Sequence, residues 1–200
     1  MFEAVKQSLE GRGFSVTCCN SSAEALMYID GQIDNKTVGI GGSATVEELG
    51  LYDKLALHNT VYWHARIPEG KTAEEIRALA STAHVYISSV NALAQTGEII
   101  NIDGACNRVS SICYGHEKVF LVVGKNKLAA NYDSALYRAR NVAAPKNARR
   151  LAKKTPCAAK GDKCYDCKSP DRICRALSVL WSKPTLCDYE VVLINEDLGF

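Results

Sequence analysis

Four cysteines stand at Cys157-x6-Cys164-x2-Cys167-x6-Cys174 in a chain of 200 residues that holds nine in all. A C-x-x-C pair can place two thiolates on one ion, and outer cysteines six residues away can fold back to complete a tetrahedral set. Zinc and an iron–sulfur cluster both accept four thiolates, although the spacing differs from the ferredoxin run. Reduced thiols or a redox disulfide would use the same residues. Residues 146–175 carry ten Lys/Arg against three Asp, a local +7 that leaves −5 on the remainder of a chain of net charge +2. Such a field lowers thiol pKa values and offsets the charge of bound thiolates. Only Tyr165 interleaves aromatically with these cations, which argues against a nucleic-acid platform.

A second set of residues suits an anion. The stretch VGIGGSATVEEL, residues 38–49, ends an apolar run in Gly41 and Gly42, adds the hydroxyls of Ser43 and Thr45, and turns helical. Adjacent glycines adopt backbone angles closed to other residues and admit a ligand to the main chain. Thr45 and Glu48 have the spacing of a capping box, so the first N–H groups of the following helix would point back at the loop. A tight strand-to-helix turn would need the same residues. Further on, TGEIINIDGACNRVSS places Thr96, Gly97, Glu98, Asn101, Asp103, Asn107 and Arg108 between apolar runs. Arg108 can clamp a carboxylate in bidentate fashion, or pair with Asp103 within a turn. Lys125 and Lys127 follow a strong strand, and Glu196 follows another. The four histidines have no metal-ligand spacing, His64 at a strand end being the most suggestive.

These residues need a scaffold, and the hydrophobic pattern supplies one. Phe2, Val5 and Leu9 recur at helical spacing, and FSVTCC, TVGI, TVYWHA, VYISS, KVFLVVG and EVVLINE read as strands. Ser21/Glu24 and Thr72/Glu75 also have capping-box spacing. Alternating strands and helices imply a mostly parallel sheet with flanking helices. Two apolar runs around Thr96-Gly97 suggest a hairpin or a bent strand, and NRVSSICY a short helix. Tyr132 to Val142 is a helical pattern that Pro145 ends or kinks. The reading is one α/β domain over 1–200, with a cysteine-rich segment, 156–175, inserted before the last strand.

The chain is 47% hydrophobic and 23% charged, ordinary globular values. No apolar run reaches the ~18–20 residues of a membrane span, and MFEAVKQSLEGRGF lacks the basic and apolar regions of a secretory signal. Both points lead to the expectation of a cytoplasmic protein with no membrane association.

Taken together, VGIGGSATVEELGL, TGEIINIDGACNRVSSI, VFLVVGKNKL and NEDLGF resemble the LUD-domain family of lactate-utilisation proteins, in order and over nearly the whole chain. The resemblance implies a fold similar to the sugar-phosphate isomerase and coenzyme A transferase group. It implies that the loop 39–45 binds phosphorylated or carboxylate ligands. It also implies a place in oxidation of L-lactate to pyruvate beside iron–sulfur and flavin partner proteins. Expected ligand-binding residues are Gly41, Gly42, Ser43, Thr45, Thr96, Gly97, Asn107, Arg108 and Lys127, with Cys157, Cys164, Cys167 and Cys174 as metal ligands. By analogy with coenzyme A transferases, Glu98 would be the catalytic carboxylate of a stand-alone transferase or isomerase. A non-enzymatic, metal-stabilised binding module is the remaining alternative.

Overall fold

The computed structural model describes residues 2–200. Ten strands form two sheets: β1 (Ser15–Cys19), β2 (Thr37–Ile40), β3 (Thr60–Trp63), β4 (Val85–Ser89), β5 (Ala92–Ala94), β6 (Ile99–Asp103), β7 (Lys118–Gly124), β8 (Leu128–Ala129), β9 (Ala176–Leu180) and β10 (Asp188–Ile194). The larger sheet has the order β1-β10-β7-β4-β2-β3 and is parallel throughout. The smaller, β8-β5-β6-β9, is mixed, with β5 and β6 the expected hairpin around Thr96-Gly97.

Central parallel strands are apolar on both faces because helices or a second layer cover each side. On β7, Val119, Leu121 and Val123 enter one core while Phe120 and Val122 enter the other; Val191 and Leu193 of β10 alternate likewise with Val192 and Ile194. One core is closed by α2 (Ser22–Gly31), α3 (Ala44–Glu48) and α4 (Leu51–Leu55), which contribute Ala25, Ile29, Val46, Leu51 and Leu55. The other is closed by α1 (Glu3–Gly11), by Ile112 of α6 (Asn107–Cys113), and by Leu93, Ile99 and Leu180 of the smaller sheet. That sheet turns its opposite face, Ala92, Ala94, Ile100 and Ile102, onto α7 (Tyr132–Arg138) and α8 (Ala144–Arg150). A further helix, α5 (Ala73–Ala80), packs beside β3 and β2.

Several expectations change. Ser43, not Thr45, caps α3: its Oγ accepts from the Val46 N–H at 3.2 Å, and Thr45 is fully buried inside the helix. Glu48 turns away from the cap and accepts from the Gly199 N–H at 2.8 Å. Ser21 caps α2, but Glu24 takes the N–H of Asn20 rather than that of Ser21; at Thr72/Glu75 the reciprocal box is complete. Pro145 does not end its helix. A π turn at Ala139–Ala143 widens the spiral just before it, and α8 continues to Arg150. Proline has no N–H and its ring crowds the carbonyl four residues back; a wider turn relieves both. The cysteine-rich segment leads into β9, a strand the pattern had not signalled, and holds a short helix, α9 (Pro156–Lys160). Among the described residues no helix is long and apolar enough to cross a membrane.

Candidate functional site

Parallel strands deliver their following loops to one edge, the carboxyl edge, where ligands of open α/β sheets bind. Here that edge gathers Gly41 to Ser43 after β2, His64 after β3, Val90 and Asn91 after β4, and Lys125–Lys127 after β7. The end of β6 brings Asp103, Gly104, Asn107 and Arg108 to the same place. Two adjoining hollows result. A small one of about 40 Å³ is lined by Gly42, Ser43, Thr45, Ser89, Lys127 and Arg108, among others. A larger one of about 490 Å³ shares Gly42, Asn91, Arg108, Asn147 and Arg150 with it and extends along His64, Arg77, Lys153, Arg172 and Arg175.

The glycines serve close approach. Neither Gly41 nor Gly42 has a positive φ. A Cβ on Gly41 would stand 2.8 Å from Ser88 Oγ and Tyr86 Oη and 3.0 Å from Arg108 Cγ, so its bareness lets the arginine stem pass. Gly41 is buried beneath the loop and Gly42 forms the surface of both hollows. Since α3 is a single turn and Ser43 already occupies its Val46 N–H, the positive character comes from side chains rather than a helix dipole.

Lys127 is the central cation. It is 4% exposed. Its Nζ donates to Thr45 Oγ1 and Ser89 Oγ, each at 2.7 Å, and among the described residues no carboxylate pairs with it. Burial, reinforced by Arg138 and Arg108, lowers its pKa to about 7. A lysine has three donors, and these contacts use two. Thr45 Oγ1 in turn donates to the Leu198 carbonyl at 3.2 Å, and Ser89 Oγ to that of Val122 at 2.6 Å.

Arg108 crosses from α6 toward the glycine loop. Its Nη1 donates to Asn101 Oδ1 at 3.3 Å, Nη2 to the Ile102 carbonyl, and Nε lies 3.7 Å from Asp103 Oδ2. Asp103 also accepts the N–H groups of Gly104, Arg108 and Val109 at 2.7, 2.9 and 3.2 Å, which fixes the start of α6. Arg108 thus makes the expected pairing with Asp103 within the turn, and its side chain also lines both hollows. His64 lies against Gly42, and burial followed by the field of Arg77 lowers its pKa, so it is neutral near pH 7.

The structure does not bring Thr96, Gly97 and Glu98 to this edge. They sit at the opposite end of the β5–β6 hairpin, against α1. Glu98 pairs with Arg12 at 2.6 Å and accepts from Thr96 Oγ1. Burial would raise its pKa, but the Thr96 hydroxyl and the Arg12 guanidinium hold it below the usual carboxylate range. Glu98 is thus held in an ion pair outside both hollows, away from the glycine loop. Glu196 accepts the Ser22 N–H at 3.0 Å, and Lys125 likewise stands outside the hollows.

The four thiols are half-buried along one segment. Cys157 Sγ lies 3.3 Å from Thr155 Oγ1, Cys164 Sγ accepts from the Asp166 N–H at 3.3 Å, and Cys174 Sγ from Arg172 Nη2 at 3.4 Å. Among the described residues no three Cys, His, Asp or Glu side chains gather as a metal-holding group. As arranged, the thiols do not fit a tetrahedral ion or a cluster. The segment instead lends Pro170, Asp171, Arg172, Ile173 and Arg175 to the wall of the larger hollow. Gly104 permits that closeness: a Cβ there would meet the Ile173 carbonyl oxygen at 3.0 Å. Sequence reasoning missed Arg77, Ser89, Asn91, Arg150, Arg172 and Arg175; the run of positive charge over 146–175 was the available signal for the last three.

The chain is similar in fold to a DUF162 family protein from Deinococcus radiodurans, with a TM-score of 0.53 at 13% identity over 97% of this chain and 98% of that one. Weaker likenesses, both with a TM-score of 0.33, are to ribose 5-phosphate isomerase from Plasmodium falciparum (16% identity, 65% of this chain and 54% of that one) and to eIF2B beta from Chaetomium thermophilum (15% identity, 66% and 44%). At that level neither bears on function. No curated protein matches. The model of the LUD domain matches residues 2–194, nearly the full length. The chain belongs to the LUD-domain family.

Proposed function

We propose that this LUD-domain protein binds a small anionic ligand, a carboxylate or a phosphate ester, at the hollow formed by Gly42, Ser43, Thr45, Arg108 and Lys127. The observation that carries the reading is Lys127: a lysine 4% exposed, held by two neutral hydroxyls and by no carboxylate. A buried charge without a counter-ion is costly, and a ligand anion would offset that cost. Arg108, fixed by Asn101 and Ile102, stands ready as a second donor. Family membership favours a setting in lactate or organic-acid metabolism, with iron–sulfur or flavin proteins as partners. His64, its pKa lowered by burial, lines the adjoining larger hollow beside Gly42. Catalysis by Glu98 forms no part of the reading, and no step runs through a metal.

The test is isothermal titration of L-lactate, pyruvate and inorganic phosphate into the wild type, Lys127→Met and Arg108→Gln. Binding of at least one anion that is lost in Lys127→Met and weakened in Arg108→Gln supports the reading. Affinities untouched by both substitutions would remove the hollow as the site.

A further inference from the structure

The larger hollow is more positive than a single carboxylate requires. Six cations line it, Arg77, Arg108, Arg150, Lys153, Arg172 and Arg175, against Asp103 and Asp171. Both aspartates are already engaged: Asp103 by three backbone N–H groups and Arg108, Asp171 by the Lys154 N–H at 3.1 Å. Four of the cations have no carboxylate partner among the described residues. Arg77 pairs with none, and its buried Nε has no hydrogen-bond partner among the described residues. Arg150 donates only to Asn147 Oδ1, at 3.0 and 3.1 Å. Arg175 donates to the carbonyls of Arg172 and Pro170, and Lys153 Nζ has no partner. Arg172, though 3.9 Å from Asp166, spends its donors on the carbonyls of Cys174 and Cys167.

Like charges crowded in a concave wall repel one another, and the field they focus favours a ligand carrying several negative charges. The volume agrees. About 490 Å³ lies within the ~300–1,000 Å³ of ordinary ligand pockets, and a three-carbon acid would leave most of it empty. The two hollows adjoin, with Gly42, Asn91, Arg108, Asn147 and Arg150 lining both.

We infer that the ligand is polyanionic, of the oligophosphate class, with one anionic group at Lys127 and further phosphates along Arg77, Arg150, Lys153, Arg172 and Arg175. The cysteine-rich segment thereby acquires a role that needs no metal: it carries the outer phosphate-binding wall. This rests on the anion-binding reading above and extends it from one charge to several.

The probes are inorganic phosphate and tripolyphosphate, titrated at one fixed ionic strength into the intact protein. Tripolyphosphate should bind at least tenfold more tightly than phosphate. In Lys153→Gln/Arg175→Gln that advantage should fall to within about threefold while phosphate affinity is kept; Arg172 is left in place because it braces the thiol segment. Lys146→Gln/Lys168→Gln removes two exposed cations of the basic run 146–175 that lie outside the hollow, and should change neither affinity. Equal affinity for the two probes in the wild type, with phosphate still lost in Lys127→Met, overturns the oligophosphate inference and leaves the simpler reading standing. An equal loss in both double variants also overturns it, since the effect is then net charge. No binding of either probe, by a chain whose unfolding transition shows it folded, overturns both.

Discussion

Replacing Lys127 by methionine should make the protein more stable and less able to bind. The methionine keeps most of the volume of the stem and discards the charge. Burial lowers the lysine from its ordinary 10.5 to about 7, and at about 1.4 kcal/mol per pH unit the buried charge then costs about 5 kcal/mol below pH 7. The substitution also removes two hydrogen bonds, worth about 1 kcal/mol each. Thr45 and Ser89 keep their own donations to the Leu198 and Val122 carbonyls. At pH 6 the variant should therefore gain about 3 kcal/mol. The sign with pH follows from proton counts. Between about 7 and 10.5 the unfolded lysine is protonated and the folded one is not, so wild-type stability rises with pH across that window. Methionine has no such dependence, and by pH 9.5 the gap should close to within about 1 kcal/mol. Urea unfolding of both proteins at pH 6 and 9.5 measures it. A gap that stays constant with pH, or a variant less stable at pH 6, would refute the placement of an uncompensated lysine in the core.

Affinity for L-lactate, whose own charge is fixed over this range, should fall as pH rises through about 7, because Lys127 gives up its proton; calorimetry at three pH values reads this directly. Arg108→Gln should weaken anion binding more than tenfold and lower stability by about 2–3 kcal/mol, since Asp103 and Asn101 lose their charged partner; melts and titration of one preparation separate the two effects. Glu98→Gln should cost only about 1 kcal/mol, the worth of a partly exposed ion pair, and leave anion affinity unchanged; a loss of affinity would return Glu98 to the site. Metal analysis of anaerobically purified protein should find less than one zinc or iron per chain, as the thiol arrangement implies. A stoichiometric metal would mean that the segment closes around it.

The parallel sheet was legible because its strands are short, β-branched and separated by helices with good caps, so periodicity and chemistry agree. The same signals misled where two residues compete for one task. Ser43 and Thr45 are both fit to cap α3, and only packing settles it: Thr45 is drawn inward by Lys127 and Leu198, leaving Ser43 at the end. β9 escaped notice since it is an edge strand with only Leu180 buried; Leu177 is 50% exposed, which breaks the pattern of a buried strand. Pro145 read as an end or a kink, and which of the two could not be told, because the relief offered by a π turn leaves no composition signature. At the site, Gly42, Arg108 and Lys127 were legible as a loop, a polar stretch and a strand end. Glu98 was placed wrongly because closeness in sequence to Arg108 says nothing about which end of a hairpin faces the ligand. Arg77, Arg150 and Arg172 come from three separate elements, and only the fold brings them to one wall.

The most direct measurement is an anomalous-scattering map from crystals soaked in selenate, a heavy analogue of sulfate and phosphate. A selenium peak is expected within hydrogen-bond reach of Lys127 Nζ and the Arg108 guanidinium, beside Gly42. Selenium confined to the outer surface, with Lys127 still bonded only to Thr45 and Ser89, would contradict it.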